Sequence, residues 1–314
     1  FHSCAIQAGT DNVVCWGNRP YNAYGQVSPP ASVDGTNGTA SAISAGFFHS
    51  CAIQTGTSNV VCWGYDRSGQ ASPPASLDGT TGTASAISAG GFHSCAIQAV
   101  TENFICWGSG QASPPASVDG TTGTASAIAA AGDWNSHSCA IQAGTDNVVC
   151  WGSGQAPPPD SLNGTSGTAS AIAAGFSHSC AIQTGTENVV CWGHNTNNQA
   201  PSPAALALIP GTTSAIAAGD YHNCAIRAGT GQVFCWGDNT SSQTSAPDSV
   251  NGFTGTASAI AAGAAHSCAI QTGTGNVICW GDNVSFQASP LASVDGTTGT
   301  ASAIAAGGYH SCAI

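Results

Sequence analysis

Cysteine and histidine are the residues of this sequence whose types and spacing could do chemistry. The 314 residues include 15 cysteines and 9 histidines. Eight histidines begin a repeated motif, His-Ser/Asn-Cys-Ala-Ile, and seven further cysteines begin a second motif, Cys-Trp-Gly. In each of seven repeats the second cysteine lies eleven residues after the first. Such cysteine pairs could form disulfides or hold zinc, and a ring of histidines could bind a metal ion or an anion.

The constant spacing of the cysteines favours one cross-strand disulfide in each repeat. If Cys4 lies opposite Cys15, then Ala5 faces Val14 and residues 8–11 form a four-residue loop, which is a normal hairpin length. Opposed strand positions bring side chains close enough to bond. The predicted disulfides are Cys4–Cys15, Cys51–Cys62, Cys95–Cys106, Cys139–Cys150, Cys180–Cys191, Cys224–Cys235 and Cys268–Cys279. Cys312 has no cysteine eleven residues later, so it is predicted to be unpaired or bonded to another molecule.

The other kinds of chemistry are less favoured by the pattern. Zinc usually calls for Cys-x-x-Cys knuckles, and the sequence has none. A histidine that recurs at one position of every repeat is better interpreted as a structural residue that hydrogen-bonds the backbone of its own blade. No repeat breaks the pattern with a nucleophile and a neighbouring base. The sequence therefore predicts no catalytic residue, no metal site, no cofactor and no enzymatic activity.

Composition excludes several classes of partner. Only 6% of the residues are charged, and the net charge is −12. The three cations are Arg19, Arg67 and Arg227, too few to neutralise a nucleic acid or an anionic membrane surface. No apolar run is long enough to span a bilayer. So many regularly spaced cysteines are typical of an oxidising compartment, which predicts an extracellular or cell-surface location without membrane insertion or nucleic-acid binding.

The repeat predicts the elements that position these residues. One unit carries "HSCAIQ", "NVVCWG" and "TASAISAG", three short apolar segments separated by Gly- and Pro-containing turns, and nothing in it indicates a helix. Alternation makes both faces of such a sheet apolar, so neighbouring units must cover them. A β-propeller or an open β superhelix of the same repeats meets this requirement. We predict a single all-β repeat domain over residues 1–314. Its seven repeats start near residues 2, 49, 93, 137, 178, 222 and 266, and an eighth begins at 310.

The unit resembles the repeat of the regulator of chromosome condensation family. The words "SAISAGGFHSCAIQ" and "NVVCWGYDRSGQ" are similar to its small-residue strand ending in Ala-Gly, its His-Ser, its Trp-Gly turn and its later Gly-Gln. The resemblance covers the whole chain, and the two cysteines per repeat are similar to the secreted bacterial form. It implies a seven-bladed β-propeller of roughly 44-residue repeats. The founding member's nucleotide-exchange activity and chromatin contact are not carried over, because the loops and charges behind them are not found here.

Two groups of residues stand out as candidate surface sites. The loops after Cys-Trp-Gly vary in length, and three residues are inserted around Trp134; loops on a rigid scaffold often carry function. The predicted binding rim consists of Arg19, Tyr21, Tyr24, Tyr65, Arg67 and Trp134. The predicted glycosylation sites, each in an Asn-x-Ser/Thr word, are Asn37, Asn163, Asn239 and Asn283.

Together these features predict a non-enzymatic extracellular protein that builds a fibre, sheath or surface layer from disulfide-linked propeller repeats. Near-identical repeats, very low charge and the repeat begun at residue 310 favour this structural role. The expected partner is then the protein itself, as a homopolymer or a longer repeat chain. The alternative is a secreted binding module for adhesion, or for recognition of an extracellular protein or glycan, through the loops after Cys-Trp-Gly.

Overall fold

The chain folds into short β-strands only. The structure is a computed structural model that describes residues 3–17, 23–109, 113–131, 137–152, 157–201, 213–307 and 310–313. These ranges contain 22 strands and no α-helix. The described part of the chain accordingly offers no helix with the length and apolarity needed to cross a membrane.

Each sheet contains an inner, a middle and an outer strand. The inner strands are β3 (Ala40–Ala45), β6 (Ala84–Ala89), β9 (Ala125–Ala130), β12 (Ala169–Ala174), β15 (Thr213–Ala218), β18 (Ala257–Ala262) and β21 (Ala301–Gly307). The middle strands are β1 (Ser3–Gln7), β4 (His49–Gln54), β7 (His93–Gln98), β10 (His137–Gln142), β13 (His178–Gln183), β16 (His222–Arg227) and β19 (His266–Gln271). The outer strands are β2 (Val13–Trp16), β5 (Val60–Gly64), β8 (Phe104–Gly108), β11 (Val148–Gly152), β14 (Val189–Gly193), β17 (Val233–Gly237) and β20 (Val277–Gly281). A last strand, β22 (His310–Ala313), follows β21.

The sheets close into a ring of seven blades. Blades 1 to 6 each join three consecutive strands, from β3–β4–β5 in blade 1 to β18–β19–β20 in blade 6. Blade 7 joins the inner strand β21 to β1 and β2 from the start of the sequence, and β22 belongs to the same sheet. The seven inner strands line one central cavity of about 360 Å³. This arrangement confirms the predicted seven-bladed propeller, and pairing of β21 with β1 means that the alternative, an open superhelix, does not form.

The hairpin register is the one that the cysteine spacing predicts. In blade 7, Cys4 lies opposite Cys15 and Ala5 lies opposite Val14. The same register recurs in the other six hairpins, and a disulfide joins the opposed cysteines in all seven. The sequence repeat is nevertheless out of phase with the blade. It supplies the middle and outer strands of one blade and the inner strand of the next.

Neighbouring blades pack through complementary apolar faces. Cys4 and Ile6 on one face of blade 7 pack against Ala52 and Trp63 on the facing side of blade 1, and the same arrangement recurs between blades 1 and 2. The small alanine leaves room for the indole ring beside it. Both faces of the sheets are thus buried, as alternation predicts, and each fully buried large side chain contributes roughly 1.5–3 kcal/mol.

Among the described residues, a buried polar seam also joins each of blades 1 to 5 to the blade that follows it. His49 Nε2 in blade 1 lies 2.8 Å from Ser94 Oγ in blade 2. Ser94 Oγ donates to the carbonyl of Gln70 at 2.9 Å, and Trp107 Nε1 donates to the same carbonyl at 3.0 Å. Because the serine hydroxyl gives its hydrogen to Gln70, it must accept from His49, which is therefore a neutral imidazole carrying its hydrogen on Nε2.

The seam corrects the interpretation of the repeated histidines. Between blades 4 and 5, His178 Nε2 lies 2.8 Å from Asn223 Oδ1, an acceptor only, which gives the same tautomer. The sequence interpretation placed the histidine's hydrogen bond on the backbone of its own blade, but the partner is a side chain of the following blade. The reason is that a middle strand such as β4 is already paired with strands on both of its edges.

Candidate functional site

The structure brings two of the predicted rim residues together. Tyr24, in the loop after β2, and Tyr65, directly after β5, have ring centroids 4.8 Å apart with the rings edge to face. Tyr24 is 47% exposed, and Arg67 is exposed two residues beyond Tyr65. The remaining predicted rim residues, Arg19, Tyr21 and Trp134, lie outside the described residues.

Three phenylalanines complete an aromatic cluster with these tyrosines. Phe47 and Phe48 lie between β3 and β4, and Phe92 lies between β6 and β7. The Phe48 centroid is 5.9 Å from Tyr24 and 6.0 Å from Tyr65. Phe92 lies 6.3 Å from both Phe48 and Tyr65 and stacks on Phe47 at 6.5 Å. The aromatic cluster, defined as Tyr24, Phe47, Phe48, Tyr65 and Phe92, therefore draws residues from blades 7, 1 and 2.

The Cys-Trp-Gly word explains how two separate loops meet in this cluster. Gly64, the last residue of β5, has a φ of +106°, a conformation that glycine adopts readily. A Cβ at this position would collide with the carbonyl oxygen of Phe48. The chain can therefore turn close to the neighbouring loop, where the Tyr65 amide donates to the Phe48 carbonyl at 2.8 Å.

The cluster stands at one mouth of the central channel. Phe47 lines a small cavity of about 50 Å³ at this mouth, together with Asp220 between β15 and β16 and with Ala and Gly residues at the ends of the inner strands. Across the same face, the rings of Phe176 and Tyr221 lie 5.3 Å apart. Two carboxylates, Asp238 and Asp282, hold the sequence position of Tyr65 in blades 5 and 6. The face thus carries the aromatic cluster on one side, and two further aromatic rings together with these carboxylates on the other.

The sequence contained a signal for the missed phenylalanines. The two residues before each repeated histidine differ from repeat to repeat, from Phe47-Phe48 in blade 1 to Ala264-Ala265 in blade 6. Their neighbours on both sides recur almost unchanged. Variable residues flanked by constant ones indicate an exposed turn. The sequence does not show that this turn lies beside the loop after Cys-Trp-Gly, because that proximity depends on how the strands pair.

The remaining predicted sites divide into separate surface features. Among the described residues, no group of three or more His, Cys, Asp or Glu side chains is placed to hold a metal ion. Asn37 is exposed, whereas the side-chain amides of Asn163, Asn239 and Asn283 donate within their own loops. Glycosylation at these four positions stays a prediction. Cys312 lies in β22 opposite Ala305, and its bonding partner also stays a prediction.

The fold and this face define the class of protein: a seven-bladed β-propeller with an aromatic cluster at one mouth of its central channel. Four segments of the chain match the regulator of chromosome condensation (RCC1) repeat: residues 40–70, 169–199, 214–243 and 257–287. Each segment begins in an inner strand and ends at the glutamine beyond the outer strand. Four of the repeats thus match the RCC1 repeat, which confirms the family resemblance that the sequence motifs indicated.

Solved structures support the same fold. The ectodomain of the Physcomitrella patens receptor kinase CR4 is 23% identical with a TM-score of 0.64, covering 86% of this chain and 69% of that one. The CRINKLY WD40 ectodomain of Arabidopsis thaliana ACR4 is 21% identical with a TM-score of 0.65, covering 90% and 91%. Prp20p from Saccharomyces cerevisiae is 18% identical with a TM-score of 0.65, covering 98% and 89%. No curated protein matches the sequence.

Proposed function

We propose that this protein is a non-enzymatic extracellular binding module whose aromatic cluster contacts a protein partner. The observation that carries the proposal is the convergence of five aromatic rings from three blades on one face. Aromatic side chains dominate protein interfaces because they bury a large area at a small cost in conformational entropy. The hydrogen bond from the Tyr65 amide to the Phe48 carbonyl holds two of the contributing segments together, which reduces the ordering needed on binding.

The similar structures support both parts of this proposal. Prp20p is described with its binding properties to Gsp1p and histones, and yeast RCC1 has been solved bound to Kap60. CR4 and ACR4 are receptor-kinase ectodomains, a location that agrees with seven disulfides here. The carboxylates of Asp238 and Asp282 on the same face favour a partner that presents an apolar centre and basic residues beside it.

The experiment places a photo-crosslinking residue on the face and identifies what it captures. The probe replaces Arg67, beside the cluster, and in a second protein replaces Val100, which is 89% exposed at a hairpin tip on the opposite side of the propeller. We expect one extracellular protein to be captured from the Arg67 position only. Tyr65→Ala and Phe92→Ala should then weaken binding of that purified protein about tenfold or more, with Val100→Thr unchanged. Equal capture from both sides would contradict the proposal.

Assembly with further copies of the chain is the second candidate function, and a specific pairing favours it. Ile6 and Gln7 of β1 pair with Ala303 and Ala301 of β21, whereas β22 pairs with the rest of the same β21 edge, from Ile304 to Gly307. In the complete blades one middle strand covers this whole edge. Because β1 and β22 carry the same words, each can take the full edge only by displacing the other. A displaced strand could complete blade 7 of a second copy.

Light scattering after size-exclusion chromatography tests the assembly function. The chain 1–314 is compared with a chain that ends at residue 307, under oxidising conditions. Strand exchange predicts dimers or longer oligomers for the first protein and monomers for the second, because only the first carries two candidate strands for one edge. If both proteins are monomers at every concentration, the fibre, sheath and surface-layer role has no support.

A further inference from the structure

One outer strand departs from the repeat at several positions that are far apart in sequence. Arg227 stands where the other six complete repeats have Gln, and Gln232 stands where they have Asn. Phe234 replaces a Val or Ile, and Phe253 replaces the Thr found at residues 36, 80, 121, 165 and 297. All four residues belong to blade 5 or to the loop that follows it. Phe234 packs in part against the core cluster between blades 4 and 5, but the other blades pack with Val or Ile at this position and without the other three changes.

The four departures converge in space. Gln232, Phe234 and Phe253 line an open groove of about 570 Å³ beside the outer strand β17. The Arg227 guanidinium lies 4.3 Å from the centroid of the Phe234 ring. Its Nη1 lies 3.5 Å from Gln232 Oε1. Phe253 is 82% exposed, and its backbone amide donates to the Asn251 side chain at 3.0 Å, which fixes the turn that carries the ring.

The groove combines aromatic rings with polar side chains, a combination that suits a sugar. Its other walls include the hydroxyl of Ser245, the carboxylate of Asp248 and the amide of Asn251, with Asn251 Nδ2 donating to Asp248 Oδ1 at 3.2 Å. A pyranose ring has an apolar C–H face, which packs on aromatic rings, and hydroxyls, which need both donors and acceptors. We propose that this blade-5 groove binds a neutral oligosaccharide. The proposal is independent of the aromatic cluster, which lies on other blades.

An added peptide strand fits the groove less well. The Val233 amide already donates to the Val250 carbonyl at 3.1 Å, and Gly237 has a φ of +103°, outside the strand conformation. Between Val233 and Gly237, Cys235 is the residue whose backbone N–H and C=O point away from β16. The reason is that Cys235 and Cys224 form a non-hydrogen-bonded pair, in which the two Cα atoms lie close together. An edge one residue long cannot support strand addition. Acidic glycans are disfavoured by Asp248 and by the net charge of −12.

The test measures binding of cellohexaose, chitohexaose and mannohexaose by saturation-transfer NMR and calorimetry. Phe253→Thr and Phe234→Val restore the residues that other repeats carry, so both variants should fold. We expect at least one hexaose to bind, and each variant to weaken that binding about tenfold, as expected for loss of one buried aromatic contact. Val284→Thr removes another highly exposed apolar side chain and serves as the matched control with unchanged affinity.

Three outcomes would overturn the proposal. In the first outcome, none of the hexaoses binds the intact chain. In the second, a hexaose binds, but its affinity is unaffected by Phe253→Thr and Phe234→Val. In the third outcome, a heparin hexasaccharide or an extended apolar peptide binds in the groove more tightly than the neutral sugars. Loss of binding to the protein partner of the aromatic cluster would leave these results unchanged, so the two proposals can fail separately.

Discussion

Acidification is the perturbation to which the blade seams should respond most strongly. Burial lowers the pKa of His49, His137 and His222 from 6.5 to about 3, with repulsion from neighbouring histidines adding to the effect. Burial likewise lowers the pKa of His93 and His178 to about 4. The Nε2 atom of each ring lies within hydrogen-bond distance of a serine hydroxyl or an asparagine oxygen of the next blade, and the Nδ1 atoms of these five histidines are buried without a partner. A second proton would have no acceptor.

The sign and the size of the effect follow from proton linkage. Between pH 6.5 and about pH 4 the unfolded chain binds protons at these histidines and the folded chain does not, so the free energy of unfolding falls as the pH falls. At pH 5, which is 1.5 units below the unfolded value of 6.5, each histidine costs about 2 kcal/mol. Five histidines together cost about 10 kcal/mol, which is comparable to the whole stability of a typical domain.

Guanidinium denaturation followed by tryptophan fluorescence measures this loss, with the disulfides intact and the pH set between 7.5 and 5. The carboxylates of Asp34, Asp78 and Asp119 have pKa values lowered by hydrogen bonds from threonines, so their effect appears only below this window. His222→Gln should reduce the slope by about 1.4 kcal/mol per pH unit. Val284→Thr, at an exposed residue without a titratable group, is the control that leaves the slope unchanged. A midpoint that stays constant from pH 7.5 to pH 5 would refute the argument.

Three further predictions concern the stability of single features. The double variant Cys95→Ala/Cys106→Ala should lose about 3 kcal/mol in chemical denaturation, because the disulfide no longer restricts a loop of about a dozen residues in the unfolded chain; a loss equal to that of the reduced parent would argue against seven independent disulfides. Ser94→Ala removes the acceptor of a buried imidazole N–H and should cost about 1–3 kcal/mol, whereas Ser94→Asn, the arrangement used in blade 5, should restore most of it. Gly79→Ala should destabilise more than Gly56→Ala in thermal melts. Both glycines have positive φ values, +95° and +81°, but only at Gly79 would the new Cβ meet an asparagine amide.

The sequence was sufficient to predict the blade because its constraints are local. The eleven-residue spacing fixes which cysteines oppose each other, and the alternation from Cys4 to Ile6 fixes which face each residue occupies. Seven copies of one unit with two apolar faces then leave few architectures. These inferences depend on strand periodicity and hairpin length, which short words of sequence express directly.

The contacts between blades were harder to predict because their partners are a whole repeat apart. His49 bonds Ser94, 45 residues later, and no local pattern distinguishes that serine from the one in the histidine's own repeat. The aromatic cluster was missed in part for the same reason. Tyr65 was selected for its loop, but Phe48 and Phe92 belong to a turn that only the strand pairing brings beside it.

A repeat protein separates the residues that hold its fold from those that act on other molecules. His, Ser, Gln and Trp recur because each interface uses them in the same way, so a change there affects stability. Tyr65 and Phe253 break the repeat at the surface and contact different blades. For this reason Tyr65→Ala and Phe253→Thr should have additive and small effects on the free energy of unfolding. The same double variant should bind both ligands more weakly, whereas each single variant binds only one of them more weakly. A single variant that weakens both would show that the two surfaces are coupled through the ring, and the blades could then no longer be treated as independent carriers of binding sites.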